Sequence, residues 1–200
     1  MTNLEQVRYV TQFYTALQGL KMVPFGLFIT LMAFHNAGWE GLGGPGDLTY
    51  TTPLFFLGIL LYFLISWYYS RHFGQVQPVK IGRWWWLGLA LVVILILALV
   101  LDNLLMPRVH LIGLAIGAMW IINGTASKRP HHWMAGILML VVALLPLAVG
   151  SEPTHRIFGS GGFLFSVTFG LLLTINGLID HFILVRAFKP VAEETYARPE

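Results

Sequence analysis

The sequence predicts an all-α integral membrane protein, with six transmembrane helices in a compact bundle and both termini in the cytoplasm. The first observation is composition, since 56% of the 200 residues are hydrophobic and 10% are charged, against roughly 45–50% hydrophobic residues in soluble domains. The second is that apolar residues form long blocks, several of which reach the ~20 residues that cross a ~30 Å hydrocarbon core as a helix. The third is an asymmetry of lysine and arginine between the two sides of the predicted membrane domain.

Residues 1–21 are predicted to form an amphipathic helix that lies in the inner membrane interface and bends into the bilayer near Pro24. Polar residues such as Glu5, Gln12 and Gln18 fill much of its other surface. Its apolar residues recur at helical spacing, at Leu4, Val7, Val10, Tyr14, Leu17 and Leu20. Such a helix anchors a terminus or forms the elbow of a permease subunit, and the pattern leaves both readings open.

Residues 22–188 are predicted to form the six-span transmembrane domain, and residues 189–200 a short polar cytoplasmic tail. The breaks are rich in Gly, Pro, Asn or Asp, which favour turns, and read EGLGGPGDLTYTTP, PVKIGR, DNLLMPR and ASKRPHH. The fourth span is the shortest. The spans are placed near Met22–Trp39, Thr52–Tyr69, Trp84–Leu101, Val109–Asn123, Trp133–Val149 and Gly161–Val185.

Orientation follows from the basic residues. With the N-terminus inside, two of them, Arg108 and Arg156, lie outside. Such a split fits the excess of Lys and Arg on cytoplasmic segments, and it favours an even number of spans. The ten on the inside are Arg8, Lys21, Arg71, Lys80, Arg83, Lys128, Arg129, Arg186, Lys189 and Arg198.

Several classes of function are disfavoured. The chain has no cysteine, which excludes disulfides, Cys-ligated zinc and iron–sulfur clusters. The N-terminus lacks the pattern of a cleaved secretory signal. Basic residues are scattered rather than clustered on one face, so no nucleic-acid partner is expected. No catalytic residue, cofactor site or metal site is predicted, and the expected surroundings are the lipid bilayer, with other membrane subunits or further copies of the chain as candidate partners.

Small residues predict close helix packing. Gly162, Ser166, Gly170 and Thr174 step by four along the sixth span, and Gly113 and Gly117 do so on the fourth. Such faces let helices approach closely in lipid. They favour a compact bundle over a wide pore.

The candidate functional residues are polar side chains at the predicted cytoplasmic ends of the spans. Ionisable groups inside a membrane are costly and therefore informative, and histidine titrates near neutral pH. The group either forms an ion, proton or partner site or caps helix ends beside lipid headgroups. Its members are His72, Asn123, His131, His132, Asn176, Asp180 and His181.

Asp180 and His181 are adjacent within an apolar helix. Neighbours on a helix point about 100° apart, so this pair is not expected to bind one metal ion. Asn176 lies four residues before Asp180 and shares its face. Asp180 comes six residues before Arg186, about 9 Å along the helix, where water or Arg186 would relieve the cost of its charge.

Two phrases carry a resemblance. WYYSRHFGQVQP (67–78) and GLIDHFILVRAF (177–188) resemble segments of small uncharacterised bacterial multi-span membrane proteins that carry Tyr-Tyr-x-Arg-x-Phe-Gly-x-Val and Gly-Leu-x-Asp-His motifs. The resemblance implies a multi-pass protein of the bacterial inner membrane. It implies no activity and assigns no functional residue.

Three classes of function follow from these patterns. The leading one is a non-enzymatic membrane component, either permease-like or an accessory subunit of a transport or envelope complex. The alternative is a self-sufficient small transporter or channel, with the Asp and His residues as its cytoplasmic ion or proton site. A membrane enzyme is the third, and it would require Asp180 and two of the histidines around one metal ion.

Overall fold

A computed structural model describes residues 3–38, 48–73, 84–105, 109–149 and 162–196. Within these ranges every regular element is helical, so the predicted all-α class is confirmed. A 3-10 turn at Gly19–Met22 joins the first two α-helices. The helices are α1 (Asn3–Leu17), α2 (Val23–Asn36), α3 (Leu48–Phe73), α4 (Trp84–Leu105), α5 (Leu111–Ala126), α6 (Pro130–Val149) and α7 (Phe163–Tyr196).

Four helical stretches of the described chain are long and apolar enough to cross a membrane. They are Thr11–Asn36, Thr49–Phe73, Pro130–Ala148 and Phe163–Phe188. Two further apolar stretches, Val92–Asp102 and Leu111–Ala126, are shorter. The 16 residues of α5 reach about 24 Å, less than the ~30 Å hydrocarbon core. A membrane-embedded protein is therefore supported, whereas six spans and the side of the termini stay predictions.

Several predicted helix boundaries need correction, beginning with α3, which starts at Leu48 inside the first predicted break and before the predicted Thr52. The third break is predicted to begin at Asp102, but α4 continues to Leu105. The helix of the fifth predicted span, α6, begins at Pro130, before the predicted Trp133, because proline is favoured in a first helical turn. The last helix continues to Tyr196, through part of the predicted tail. The predicted breaks at 40–47, 78–83 and 106–108, and the side chains of Trp84–Trp86, lie outside what is described.

The long helices alternate in direction. One end of the bundle, called the Asp180 end, brings together Gly19, Tyr69, Arg129 and Asp180. At the opposite end the rings of Phe34 and Phe163 lie 5.1 Å apart, and Asp102 at the end of α4 meets the start of α5. There its carboxylate accepts the backbone N–H groups of Leu111 at 2.7 Å and Ile112 at 3.0 Å, which caps that helix. This alternation is what an up-and-down helical membrane protein requires.

Glycines on α2 and α7 bring the two helices into backbone contact. A methyl group on Gly26 would lie 2.4 Å from Oγ1 of Thr174 and 2.6 Å from the carbonyl oxygen of Gly170. A methyl group on Gly170 would lie 2.3 Å from Oγ1 of Thr30. The threonine hydroxyls bond to carbonyls of their own helices, so the contact is close without leaving them unpaired. The predicted packing face of the sixth span, at Gly170 and Thr174, is thus buried against α2.

The pair α5 and α6 packs in the same way. A methyl group on Gly117 would lie 2.9 Å from the carbonyl oxygen of Gly136, and one on Gly113 would lie 2.8 Å from Cβ of Ala143. The prediction that Gly113 and Gly117 mark a packing face is confirmed. A tight turn at Ser127–Arg129 joins the two helices, with Lys128 at φ 54°, a left-handed conformation that a non-glycine residue adopts at some cost.

The N-terminal helix packs onto the Asp180 end. Tyr14 and Leu17 are buried with Tyr69 of α3 and Leu184 of α7. These two members of the predicted apolar stripe therefore contact protein, and the side chains of Leu4, Val7 and Val10 lie outside the described set. The 3-10 turn then carries the chain past Gly19, where a methyl group would lie 2.4 Å from the carbonyl oxygen of Gly177.

The surface of α3 and α4 is strongly apolar. Phe56 is 62% exposed and Phe63 63% exposed on α3, and Val93, Ile94 and Leu97 are exposed on α4. In water such a surface would drive aggregation. Lipid chains or other transmembrane helices can cover this apolar surface without causing aggregation.

Candidate functional site

The carboxylate of Asp180 is the centre of a buried polar cluster. Its Oδ2 accepts hydrogen bonds from Nη1 of Arg129 at 3.0 Å and from Nε2 of His132 at 2.9 Å. Its Oδ1 lies 2.9 Å from Nε2 of His131. Asp180 and Arg129 are each 3% exposed. We call Arg129, His131, His132 and Asp180 the Asp180 cluster.

The contact with arginine fixes the protonation pattern of the cluster. A guanidinium is always charged, and a buried guanidinium requires a compensating negative charge. The carboxylate is therefore ionised and only accepts hydrogen bonds. Both histidines consequently carry a proton on Nε2, the nitrogen that faces Asp180.

The turn before α6 positions three of the four side chains. Lys128 in its left-handed conformation reverses the chain, and the backbone N–H of Arg129 bonds to the carbonyl of Gly124 at 2.9 Å. Pro130 then starts α6, so that His131 and His132 occupy its first turn. Their rings lie 4.7 Å apart, and they reach different oxygens of one carboxylate because Asp180 lies between them. Adjacent residues therefore do converge here, unlike Asp180 and His181.

Arg129 extends the cluster to two further segments. Its Nε donates to Oγ of Ser127 at 2.8 Å and its Nη1 to the carbonyl oxygen of Ala16 at 3.3 Å. Its Nη2 lies 3.5 Å from Oδ1 of Asn123. One guanidinium thereby links the end of α1, the end of α5 and the middle of α7.

Tyr9 adds a second link from α1. Its hydroxyl donates to the carbonyl oxygen of Ser127 at 3.3 Å. Burial raises the pKa of Tyr9, Arg129 lowers it and Asp180 raises it, so the hydroxyl stays neutral and able to donate at physiological pH. The N-terminal helix is thus hydrogen-bonded to the turn that carries Arg129.

His181 belongs to a separate contact. Its Nδ1 lies 2.8 Å from the hydroxyl of Tyr69, which also accepts the backbone N–H of Leu20 at 3.3 Å. The tyrosine hydroxyl and the imidazole share one hydrogen bond, and the tautomer of His181 sets which of the two donates. The divergence expected for Asp180 and His181 is confirmed, since each faces its own set of partners.

The other three predicted residues, His72, Asn123 and Asn176, differ in their burial and in whether they contact the cluster. His72 is exposed, with Nδ1 3.1 Å from the carbonyl oxygen of Tyr68 and its ring 4.4 Å from the Tyr68 ring. Asn123 is exposed and joins the cluster at its edge. Asn176 is buried one turn before Asp180. Of the seven candidates, the structure therefore brings His131, His132 and Asp180 into direct contact and places His72 elsewhere.

Two buried polar atoms beside the cluster have no hydrogen-bond partner among the described residues. They are Nδ1 of His132 and Nδ2 of Asn176. Buried polar atoms are normally satisfied, and an exception indicates a water molecule, an ion or a functional role. Both atoms belong to residues that touch Asp180 or lie one helical turn from it.

Sequence reasoning missed Arg129, Ser127 and Tyr69. Charge counting places Arg129 at the inner surface, and water or Arg186 was expected to relieve the charge of Asp180. The structure corrects this, because Arg129 binds the carboxylate and the Arg186 side chain is exposed. The available signal was the run Arg-Pro-His-His in a turn predicted on the same side as Asp180.

Comparison with known proteins adds no relative. No family model, no curated protein and no solved structure matches the chain. The resemblance through Tyr-Tyr-x-Arg-x-Phe-Gly-x-Val and Gly-Leu-x-Asp-His therefore stays a prediction. Any function has to be argued from the Asp180 cluster and the bundle around it.

The chemistry open to this arrangement follows from its composition. A buried carboxylate held by one permanent cation and two imidazoles can lock helices together. It can also exchange one cationic partner for another, because Arg129 has further acceptors at Ser127 and Ala16. The first use is structural and the second is a binding function.

Proposed function

We propose that the protein is a non-enzymatic integral membrane component, permease-like or an accessory subunit of a transport or envelope complex, in the bacterial inner membrane with both termini inside. The observation that carries the proposal is the Asp180 cluster, whose charged groups form contacts between helices. Arg129 by itself has acceptors at Asn123 on α5, at Asp180 on α7 and at Ala16 near the end of α1. Such a network fixes the relative positions of the helices. A subunit that docks onto a partner requires a surface of constant shape, which fixed helices provide.

The apolar surface supports the same proposal. On α3, residues Phe56 and Phe63 project away from the bundle, as do several side chains of α4. By contrast, glycines bring α2 into backbone contact with α7 and α5 into backbone contact with α6. Peripheral helices of this kind suit contact with a neighbouring transmembrane subunit.

Site-specific photocrosslinking tests this proposal in native membranes. A photoreactive amino acid replaces Phe63, which is 63% exposed, and in a matched control replaces Met139, which is fully buried. We expect a discrete crosslinked membrane protein at position 63 and none at position 139. Crosslinks to lipid alone at position 63, with a monomeric protein in mild detergent, would reject a subunit role.

The second candidate is a self-sufficient transporter with a cation or proton site at the Asp180 end. The observation that favours it is that two histidines lie 2.9 Å from one buried carboxylate. Ionisable groups inside membrane helices are costly and often mark ion or proton pathways. In this role the cluster would release and rebind a proton as the helices move.

Flux in proteoliposomes tests the second candidate. Asp180→Asn is expected to abolish pH-dependent flux, and His72→Gln to retain it, because His72 is exposed and outside the cluster. The double variant Asp180→Asn with Arg129→Gln removes both charges of the pair and guards against misfolding. Unchanged pH-dependent flux in either Asp180 variant would reject this role.

A further inference from the structure

His131, His132 and Asp180 together present the donor set of a transition-metal site. Each offers one ligand atom, and the three atoms lie within 4.8 Å of one another. Two imidazole nitrogens and a carboxylate oxygen are a frequent three-residue set for zinc, with a fourth position left to water or another ligand. Carboxylate and water alone would instead suit Mg²⁺ or Ca²⁺.

We propose that these three residues bind one divalent first-row transition metal ion, with Zn²⁺ as the probe, in exchange for the guanidinium of Arg129. Zinc lies about 2.0–2.2 Å from nitrogen and oxygen ligands, so any two ligand atoms of one ion are at most about 4.4 Å apart. Both histidines already lie 2.9 Å from the carboxylate. Ligand atoms of a tetrahedral ion lie about 3.3–3.6 Å apart. Each histidine nitrogen therefore moves outward from its carboxylate oxygen by a few tenths of an ångström, and ligand atoms that are now up to 4.8 Å apart approach each other by about 1 Å.

Arg129 occupies the cation position of this site. Its Nη1 contacts Oδ2 of Asp180, the oxygen that His132 also contacts. A dication and a guanidinium repel each other strongly in a buried site, so the two do not share the carboxylate. Ser127 and Ala16 still accept hydrogen bonds from Arg129, but neither compensates its charge, so the exchange requires the guanidinium to reach water when the metal takes Asp180.

The unpaired polar atoms supply the second line of support. Binding through Nε2 requires each histidine to move its proton to Nδ1, and Nδ1 of His132 has no described partner that would oppose this. No proton leaves the imidazole in that step. Asn176 is 5% exposed and lies one turn from Asp180, and its amide N–H would donate to a water molecule bound in the fourth ligand position. Its unpaired Nδ2 is then explained.

The inference uses the same cluster as the proposed function but goes beyond it, because it requires neither a partner subunit nor flux. Metal binding by the protein purified alone is separate from crosslinking at Phe63. Failure of one result therefore leaves the other standing.

Calorimetric titration of the full chain with Zn²⁺, in detergent and purified through a tag without histidines, tests the inference. We expect one site per chain, unaffected by millimolar Mg²⁺. X-ray absorption of the bound zinc is expected to give nitrogen and oxygen neighbours at about 2.0–2.2 Å. No binding, or a first shell without imidazole, would overturn the proposal.

Substitutions of single residues test whether His131, His132 and Arg129 act at the zinc site as proposed. His131→Gln and His132→Gln each remove a ligand and are expected to weaken zinc binding by at least about 100-fold, whereas His72→Gln leaves it unchanged. Arg129→Gln removes the competing cation and is expected to tighten binding. Affinity that survives both cluster histidine variants, or that falls in Arg129→Gln while the protein stays folded by circular dichroism, would contradict the exchange.

Discussion

Arg129 and Asp180 form a buried ion pair, with Nη1 3.0 Å from Oδ2 and side chains that are 3% and 4% exposed. The two residues are 51 positions apart and lie on segments that meet at one end of the bundle. Removing one partner of such a pair leaves the other charge buried without compensation, which costs far more than the pair contributes. The stability of this end of the molecule therefore depends on both charges together.

A double-mutant cycle on this pair is expected to be strongly non-additive. Asp180→Asn leaves Arg129 uncompensated and should lower the free energy of unfolding by about 3–5 kcal/mol. Arg129→Gln should cost less, because His131 and His132 still donate to Asp180. The double variant should be more stable than Asp180→Asn alone. Thermal unfolding in detergent measures all four proteins, and simple additivity would refute the coupling.

The contact between α2 and α7 predicts a steric difference between two glycines. Gly26→Ala places a methyl group 2.4 Å from Oγ1 of Thr174 and should destabilise the protein by about 1–3 kcal/mol. Gly58→Ala on α3 is the matched control, since nothing lies within 4 Å of its methyl position. It should be neutral or slightly stabilising, because alanine favours helix. Equal melting temperatures for the two variants would argue against this contact.

The hydroxyl of Tyr69 predicts a third difference. Tyr69→Phe removes the partner of His181 Nδ1 and of the Leu20 N–H, and should cost about 1–3 kcal/mol of stability through the unpaired groups. Tyr68→Phe is the control, because its ring contacts remain and no hydrogen bond of its hydroxyl is described. Amide exchange at Leu20 should quicken in Tyr69→Phe only. Unchanged exchange there would show that the contact is not formed.

The number of spans and their direction are testable because the chain has no cysteine. Single substitutions Gly43→Cys and Thr154→Cys lie in predicted outer loops, and Gln75→Cys and Arg198→Cys in predicted inner segments. An impermeant thiol reagent should label the first two in intact cells and the last two only after permeabilisation. Labelling of Gln75→Cys in intact cells would overturn the predicted topology.

Much of the fold was predictable because its signal is local. Each predicted span is marked by an apolar run, and each break between spans contains turn-forming residues. The approximate positions of six helices therefore follow from the sequence. Gly113, Gly117, Gly170 and Thr174 were predictable as packing residues, because small residues at helical spacing have few other uses in lipid. Which helix each face would meet depends on tertiary packing that spacing does not encode.

The site was predictable only in part. Depth and residue type singled out Asp180 and the neighbouring polar residues, because ionisable groups in apolar helices are costly. The residues that contact Asp180 and His181 come from segments far apart in the sequence, and only the folded chain brings them together. Arg129 reaches Asp180 across 51 residues, and His181 turns away to Tyr69.

The sequence by itself determined that this is a helical protein built for an apolar solvent, since composition and periodicity express those properties residue by residue. The tertiary structure decided that Arg129 neutralises Asp180, that His131 and His132 converge on the same carboxylate, and that His72 does not. Those outcomes depend on how the turn at Ser127–Arg129 and the close contact at Gly19 and Gly177 set the helix ends against each other. Packing geometry of that kind is a property of pairs of segments, and no single segment contains it.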